Sequence, residues 1–215
     1  MCFSAPASFA AAAATGAVGI GVATTSAAAR DRLLAGFPLA FAGQQAVEGV
    51  LWLRLGGTGD VASGPLVWAF LLLALIAWPV LTPALAILVE PCVARRRAMM
   101  ASLAAGTVVC AYLVAMMITH PYEAFVRGGS IAYVNDVNYS PGIEALYALA
   151  VCPPLLLSSH RRVVLFGVAV LGGAVVAYFA FSFARVSVWC FFAGAASLAL
   201  IGWPPGGRRI ISLSP

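Results

Sequence analysis

Long apolar runs, separated by short groups of charged or turn-forming residues, dominate the chain. A helix needs about 20 residues to cross the roughly 30 Å hydrocarbon core of a bilayer. Runs close to this length occupy seven segments, at residues 5–29, 33–55, 63–89, 99–119, 142–157, 163–183 and 186–203. The pattern predicts an all-α fold, a polytopic transmembrane helical bundle of about seven spans.

The longest break between the apolar runs covers residues 120–141, which we expect to form an outer loop. Ser130–Val134 and Val137–Tyr139 flank Asn135 and Asp136. This arrangement is typical of a short hairpin that turns at Asn135 and Asp136, and an irregular lid over the bundle is the alternative.

The composition places the whole chain in a membrane. Of its 215 residues, 63% are hydrophobic and 9% are charged, and the mean hydropathy is +1.01. Soluble domains are closer to half apolar and a quarter charged. Residues 1–215 are therefore expected to form a single multi-pass domain in the cell membrane, with the lipid bilayer as its main partner.

The distribution of arginine predicts the orientation. All 12 basic residues are Arg, and seven spans with the N-terminus outside put nine of them on the cytoplasmic side and three outside. The positive-inside rule then favours an outer N-terminus and a cytoplasmic C-terminus. Because the arginines are scattered over short loops, the net charge of +5 does not indicate a nucleic-acid partner.

Proline interrupts two of the predicted spans. Pro79 and Pro83 lie in the third span, and Pro153 and Pro154 in the fifth. A proline inside a helix removes one backbone hydrogen bond, and in lipid the freed carbonyl needs another partner. Either a packed kink or a broken helix that lines a polar cavity would meet this need.

The second predicted span carries polar residues that do not suit hydrocarbon. Phe41, Gln45, Glu48 and Trp52 follow helical spacing along one stripe, and Gln44 lies one turn before Glu48. A glutamate near the bilayer centre costs about 2.5 kcal/mol or more. We therefore expect these polar side chains to face the bundle interior, as the floor of a pocket that opens outward.

Other polar residues are predicted at the same outer level. They lie before the first span, after the fourth span, in the outer loop and at the start of the fifth span: Cys2, Ser4, His120, Tyr122, Glu123, Asp136, Asn138, Tyr139 and Glu144.

A thiolate, an imidazole and a carboxylate together form a suitable ligand set for zinc or another divalent transition metal. Cys2, Glu48 and His120 are the predicted ligands. Such a metal would activate water for an enzyme that acts on a small or lipid-derived substrate, a hydrolase or a lyase. The remaining predicted site residues are Tyr122 and Glu144, which with Glu48 would be catalytic, and Ser4, Gln44, Gln45 and Trp52, of which Gln45 would orient Glu48.

Two alternatives need no metal. In the first, Glu48 is the general acid of a terpene-cyclase-like membrane enzyme, beside the aromatic residues Phe37, Phe41, Trp52 and Tyr147, since aromatic faces stabilise cations. In the second, the protein is a non-enzymatic membrane sensor or transporter.

Two motifs carry a resemblance to a known family. The chain opens with MCFSAPASF, and its second predicted span contains QQAVEGVLW. In both motifs it resembles a family of small multi-pass bacterial membrane proteins of unassigned function. The resemblance marks Cys2, Phe3, Ser4, Gln44, Gln45, Glu48, Gly49 and Trp52 as positions of the family motifs, and it implies no particular activity.

Overall fold

The structure, a computed structural model, describes residues 4–26, 28–56, 60–137 and 141–200, and this part of the chain is mostly helical. The α-helices are α1 (Ala5–Thr25), α2 (Ala29–Arg32), α3 (Gly36–Leu55), α4 (Pro65–Leu71), α5 (Trp78–Val89), α6 (Val93–Thr119), α7 (Pro141–Leu156), α8 (Arg161–Ala180) and α9 (Arg185–Ala196). Three tighter or wider helical segments adjoin them: 3₁₀ turns at Leu33–Ala35 and Ser197–Leu200, and a π-helical segment at Leu72–Ala77.

Within the described residues, each predicted span lies mainly on a helix or on helical segments that run on from one another. Four helical stretches are long and apolar enough to cross a membrane: Ala5–Thr25, Pro65–Val89, Val93–Thr119 and Arg161–Ala180. The helices Pro141–Leu156 and Arg185–Leu200 are apolar but shorter. The count of seven spans therefore stays a prediction.

A three-stranded antiparallel sheet closes one end of the bundle and is an addition to the predicted all-α architecture, which the mostly helical chain otherwise follows. Its strands are β1 (Val61–Ala62), β2 (Glu123–Arg127) and β3 (Ser130–Val134), in the order β1-β2-β3. Glu123 pairs with Val134 and Arg127 with Ser130. We call this end of the bundle the sheet end.

The hairpin turns at Gly128 and Gly129, so the prediction of a turn at Asn135 and Asp136 is wrong. Both glycines have positive φ, of 55° and 73°, which side chains other than hydrogen rarely tolerate. Two-residue hairpin turns need this backbone conformation, and a glycine pair supplies it more readily than an Asn-Asp pair.

Helix α1 packs along α3, and α6 packs against both α5 and α7. Helix α7 also contacts α8, which packs against α9. The core between them is rich in aromatic side chains; Phe37 and Phe166, for example, meet edge to face with ring centroids 5.3 Å apart.

Gly106 allows the closest approach between α5 and α6. A Cβ atom at this position would overlap the backbone carbonyl of Pro79. Small residues at helix interfaces let backbones approach in this way in membrane proteins.

The π-helical segment ends two residues before Pro79, and a side chain supplies the hydrogen bond that this proline cannot donate. In a π-helix the N–H of each residue bonds to the carbonyl five residues earlier, so the donor to the Ala74 carbonyl would be Pro79, which has no N–H. The hydroxyl of Tyr147 donates to the Ala74 carbonyl instead, at 2.5 Å. The Ala74 carbonyl, which the interrupted helix leaves without a backbone donor, thus receives its hydrogen bond from a side chain on α7.

The end of the bundle opposite the sheet is held together around Glu90, and we call it the Glu90 end. The Glu90 carboxylate accepts hydrogen bonds from the backbone N–H of Cys92, at 3.0 Å, and from the N–H and hydroxyl of Ser159, at 2.7 and 2.5 Å. The Arg30 side chain donates to the carbonyls of Leu88 and Glu90. Burial alone would raise the pKa of Glu90, but the hydrogen bonds from Ser159 and Cys92, together with the charge of His160, outweigh it and lower that pKa below its ordinary value.

The contact at Gly106 yields a prediction. Gly106→Ala should lower the free energy of unfolding by about 2 kcal/mol, because α5 and α6 must move apart to accept the methyl group. Gly172→Ala, in α8, is the matched control because a Cβ there meets nothing within 4 Å; it should leave stability unchanged or raise it by up to about 1 kcal/mol. Thermal unfolding in detergent measures both variants. Equal effects would contradict the close packing at Pro79.

Candidate functional site

The Glu48 side chain is fully enclosed between α3 and α9. It is 0% exposed, as are its neighbours Gln44 and Gln45, and the expectation that these side chains face the bundle interior is therefore confirmed. Gln45 Nε2 donates to Glu48 Oε2 at 3.1 Å, and Ser187 Oγ donates to Glu48 Oε1 at 2.5 Å. The expected hydrogen bond from Gln45 is present, and Ser187 joins it from a different helix.

Gln44 links α3 to α5. Trp78 Nε1 donates to Gln44 Oε1 at 2.7 Å, and the Trp78 ring stacks on Phe41 with centroids 4.0 Å apart. The polar side chains of α3 thus contact two other helices through hydrogen bonds.

Two buried polar atoms near this network have no hydrogen-bond partner among the described residues: Gln45 Oε1 and the hydroxyl of Tyr133. The Tyr133 ring lies on β3 and stacks against Phe70, with centroids 4.5 Å apart and planes 6° apart. Burial raises the pKa of Tyr133 well above its ordinary value, and the nearby charges of Glu48 and Cys190 raise it further. Tyr133 therefore stays protonated and lies within the electrostatic reach of Glu48.

A cavity of about 610 Å³ lies beside the network. Its walls come from the π-helical segment, from β3 and from α6, α7, α8 and α9, and they are mainly apolar and aromatic. The lining residues that matter below are Tyr122, Tyr133, Glu144, Arg185, Trp189 and Cys190. Glu48 is not among the lining residues, so the expectation that it forms the floor of the pocket is wrong for this cavity. Two lining residues, Tyr133 and Cys190, lie close enough to interact with Glu48 electrostatically.

A second, smaller cavity of about 30 Å³ shares Tyr147, Trp189 and Cys190 with the larger one. Phe37 and Phe41 also line it. Of the aromatic residues expected beside Glu48, Phe37, Phe41 and Tyr147 line this space, whereas Trp52 and Glu48 itself do not.

Glu144 and Arg185 form an ion pair on the wall of the large cavity. Arg185 Nη2 lies 3.1 Å from Glu144 Oε1, and Arg185 Nη1 lies 3.2 Å from Oε2. The Arg185 guanidinium also lies over the ring of Tyr178, 5.5 Å from its centroid. This two-point geometry ties the start of α7 to the start of α9.

The other predicted site residues lie in different surroundings. His120 Nδ1 lies 2.8 Å from Asp136 Oδ1 near the surface, and Tyr122 is buried in the wall of the cavity. Ser4 caps α1, with its Oγ 3.4 Å from the N–H of Ala7, and Trp52 packs against the core at the sheet end.

The predicted metal ligands are only partly described. Cys2 lies outside the described residues, and so do Phe3, Asn138 and Tyr139. Within the described ranges no group of three or more His, Cys, Asp and Glu side chains could hold a metal ion. A site formed by Cys2, Glu48 and His120 stays a prediction.

The comparison with protein families identifies the chain. A family of unknown function, DUF6629, matches residues 1–212. The chain belongs to this family. No curated protein matches the chain, and no solved structure does. DUF6629 membership agrees with the resemblance to an uncharacterised family, and it assigns no activity.

The structure adds three residues to the candidate site of this DUF6629 protein that the sequence patterns did not single out: Ser187, Tyr133 and Trp78. Ser187 is a polar residue inside an apolar segment, the same feature that drew attention to Glu48. Tyr133 and Trp78 are aromatic residues among many others, and only the fold shows that they face the network.

The hydrogen bond between Ser187 and Glu48 gives a second prediction. Ser187→Ala should lower the free energy of unfolding by about 1–3 kcal/mol, because a buried carboxyl oxygen loses its donor where no water replaces it. Ser182→Ala is the control, since Ser182 is exposed and should change stability by less than about 0.5 kcal/mol. Thermal unfolding in detergent compares the two. Unchanged stability of Ser187→Ala would show that the hydrogen bond to Glu48 does not contribute to the free energy of unfolding.

Proposed function

We propose that this protein is a membrane-embedded enzyme that binds a small, lipid-derived molecule in its large cavity, from the outer side of the membrane. The observation that carries the proposal is a cavity of about 610 Å³ with mainly apolar and aromatic walls, next to an enclosed carboxyl group. Ligand sites of this size with few polar groups suit apolar molecules.

The arginines support an outward-facing cavity. Arg30, Arg32, Arg95–Arg97, Arg161 and Arg162 lie in α2 or in the first turns of α6 and α8, at the Glu90 end. The sheet end carries Arg54, Arg127 and Arg185. Because positive residues favour the cytoplasmic side, we infer that the Glu90 end is cytoplasmic and that the sheet end, with the cavity, lies outside.

Glu48 is the proposed reactive group. Gln45 and Ser187 hold its carboxyl in one orientation, and positioned carboxyl groups serve as general acids or bases. In the metal-free alternative, these hydrogen bonds hold Glu48 in place as the general acid. Metal-dependent chemistry at Cys2, Glu48 and His120 remains the other proposal, with Tyr122 and Glu144 assisting proton transfer.

The orientation can be tested with a natural cysteine. Cys92 is free and exposed at the Glu90 end. A membrane-impermeant maleimide should label it only after intact cells are permeabilised, because we place it in the cytoplasm. Any labelling that remains in the Cys92→Ser variant comes from other cysteines. Labelling of Cys92 in intact cells would reverse the proposed orientation.

Binding in the cavity can be measured by tryptophan quenching. A fatty acid with a nitroxide (doxyl) group should quench the fluorescence of the purified protein in a saturable manner, because Trp189 lines the cavity. Trp189→Phe should remove most of the saturable part. Trp68→Phe is the matched control, since Trp68 is also half-buried but is not a lining residue, and it should retain that part.

Quenching that never saturates, or that Trp189→Phe leaves intact, would contradict binding in this cavity.

Turnover separates the enzyme from a sensor. Mass spectrometry of a membrane lipid extract incubated with the protein should show one species converted by the wild type and not by Glu48→Gln. Saturable binding without any conversion would favour the sensor or transporter alternative.

A further inference from the structure

We propose that the ligand of the large cavity is a lipid-derived carboxylate and that Arg185 binds its head group. The inference rests on the proposed function, because it requires a ligand in this cavity. It deepens that function by naming the charge of the ligand and the residue that selects for it. The apolar chain of the ligand would lie along the aromatic and aliphatic walls, with its carboxylate at the start of α9.

The Arg185 side chain is open to the cavity. It lines the wall together with its neighbours Ala184 and Val186, and it is 42% exposed. Among the described lining residues only Arg185 and Glu144 carry a formal charge. An anionic group that enters the cavity therefore finds one cationic side chain in the described part of the wall.

The contacts of Arg185 leave one edge of its guanidinium group free. This planar group carries five N–H donors. Glu144 lies at its end, where Nη1 donates to Oε2 at 3.2 Å and Nη2 lies 3.1 Å from Oε1. The ring of Tyr178 lies against its face, with the centroid at 5.5 Å. The side edge, formed by Nε and Nη2, has no partner among the described residues, and its two parallel N–H groups match the two oxygens of a carboxylate.

The surroundings of this edge favour one negative charge. Arg185 opens α9, whose start has no side-chain cap, and the positive end of a helix dipole stabilises an anion. The guanidinium of Arg127 lies over the ring of the lining residue Phe183, 5.4 Å from its centroid, and adds positive charge beside the wall. Asp136, which lies between two lining residues, is already paired with His120 at 2.8 Å.

Two probes that differ only in their head group test the inference: a doxyl-labelled fatty acid and its methyl ester, both with the nitroxide near the carboxyl end. Trp189 lies four residues after Arg185, on the same face of α9, so a head group bound to Arg185 brings the nitroxide close to this indole. Quenching is measured in detergent at about pH 9, where an aliphatic carboxyl is ionised. The readout is the ratio of the two apparent dissociation constants, compared between proteins so that partition into detergent cancels.

The double variant Glu144→Gln/Arg185→Gln removes both charges of the pair and so leaves the net charge unchanged. We expect the preference for the acid over the ester to fall about ten-fold relative to the wild type, because a charge-assisted, two-point contact is lost. Binding of the ester should stay the same. Arg54→Gln is the control, since Arg54 is exposed at the sheet end and does not line the cavity; it should keep the wild-type ratio.

Glu144→Gln alone should act in the opposite direction. It removes a carboxylate that competes for Arg185 and keeps a side chain of the same size, so the preference for the acid should rise about two- to five-fold. A pair that serves only to hold α7 and α9 together would instead affect acid and ester alike. This single variant also decides the matter if the double variant does not fold.

A ratio that the double variant leaves unchanged would overturn the inference, and so would a Glu144→Gln variant whose preference for the acid stays the same or falls. Saturable quenching by both probes would in that case leave the proposed function in place. If neither probe quenches the wild type in a saturable manner, the proposed function fails, and this inference fails with it.

Discussion

Burial of the polar groups of α3 in the apolar interior is the constraint on which the arrangement of the bundle depends. Hydrocarbon offers no hydrogen bonds, so each of these groups needs a partner from the protein itself. Glu48 finds Ser187 on α9, and Gln44 finds Trp78 on α5. The two bonds set the rotation of α3 about its axis and fix which faces of α5 and α9 it meets.

The same requirement explains the interrupted helix before α5. Pro79 cannot donate a hydrogen bond, and the hydroxyl of Tyr147 reaches the Ala74 carbonyl from α7. At the Glu90 end, the Glu90 carboxylate accepts two hydrogen bonds from Ser159, on the chain that follows α7. Polar contacts of this kind help define how the apolar surfaces pack, whereas apolar contact alone leaves several arrangements similar in free energy.

Hydropathy predicted the positions of the helices because the length and polarity of each run are local properties. It also predicted that Glu48 would face the interior, since exposure to lipid is costly. The partner of Glu48 could not be predicted. Ser187 lies 139 residues further along the chain, and no local sequence pattern encodes such a pairing. The wrong hairpin turn had a different cause, since Asn135 and Asp136 were given more weight than the glycine pair at Gly128 and Gly129, whose positive φ values decide the turn.

The short stretch of α9 from Arg185 to Cys190 joins the parts of the proposed site. Arg185 pairs with Glu144 on α7, and Ser187 donates to Glu48 on α3. Trp189 Nε1 donates to the Val170 carbonyl on α8, at 3.0 Å. Two of these residues line the large cavity, and the third holds the buried carboxyl. Because they lie on one helix, a ligand that displaced α9 would also change the geometry of the bond between Ser187 and Glu48. In the proposed function, a bound ligand would therefore also act on the orientation of the carboxyl through the backbone of α9.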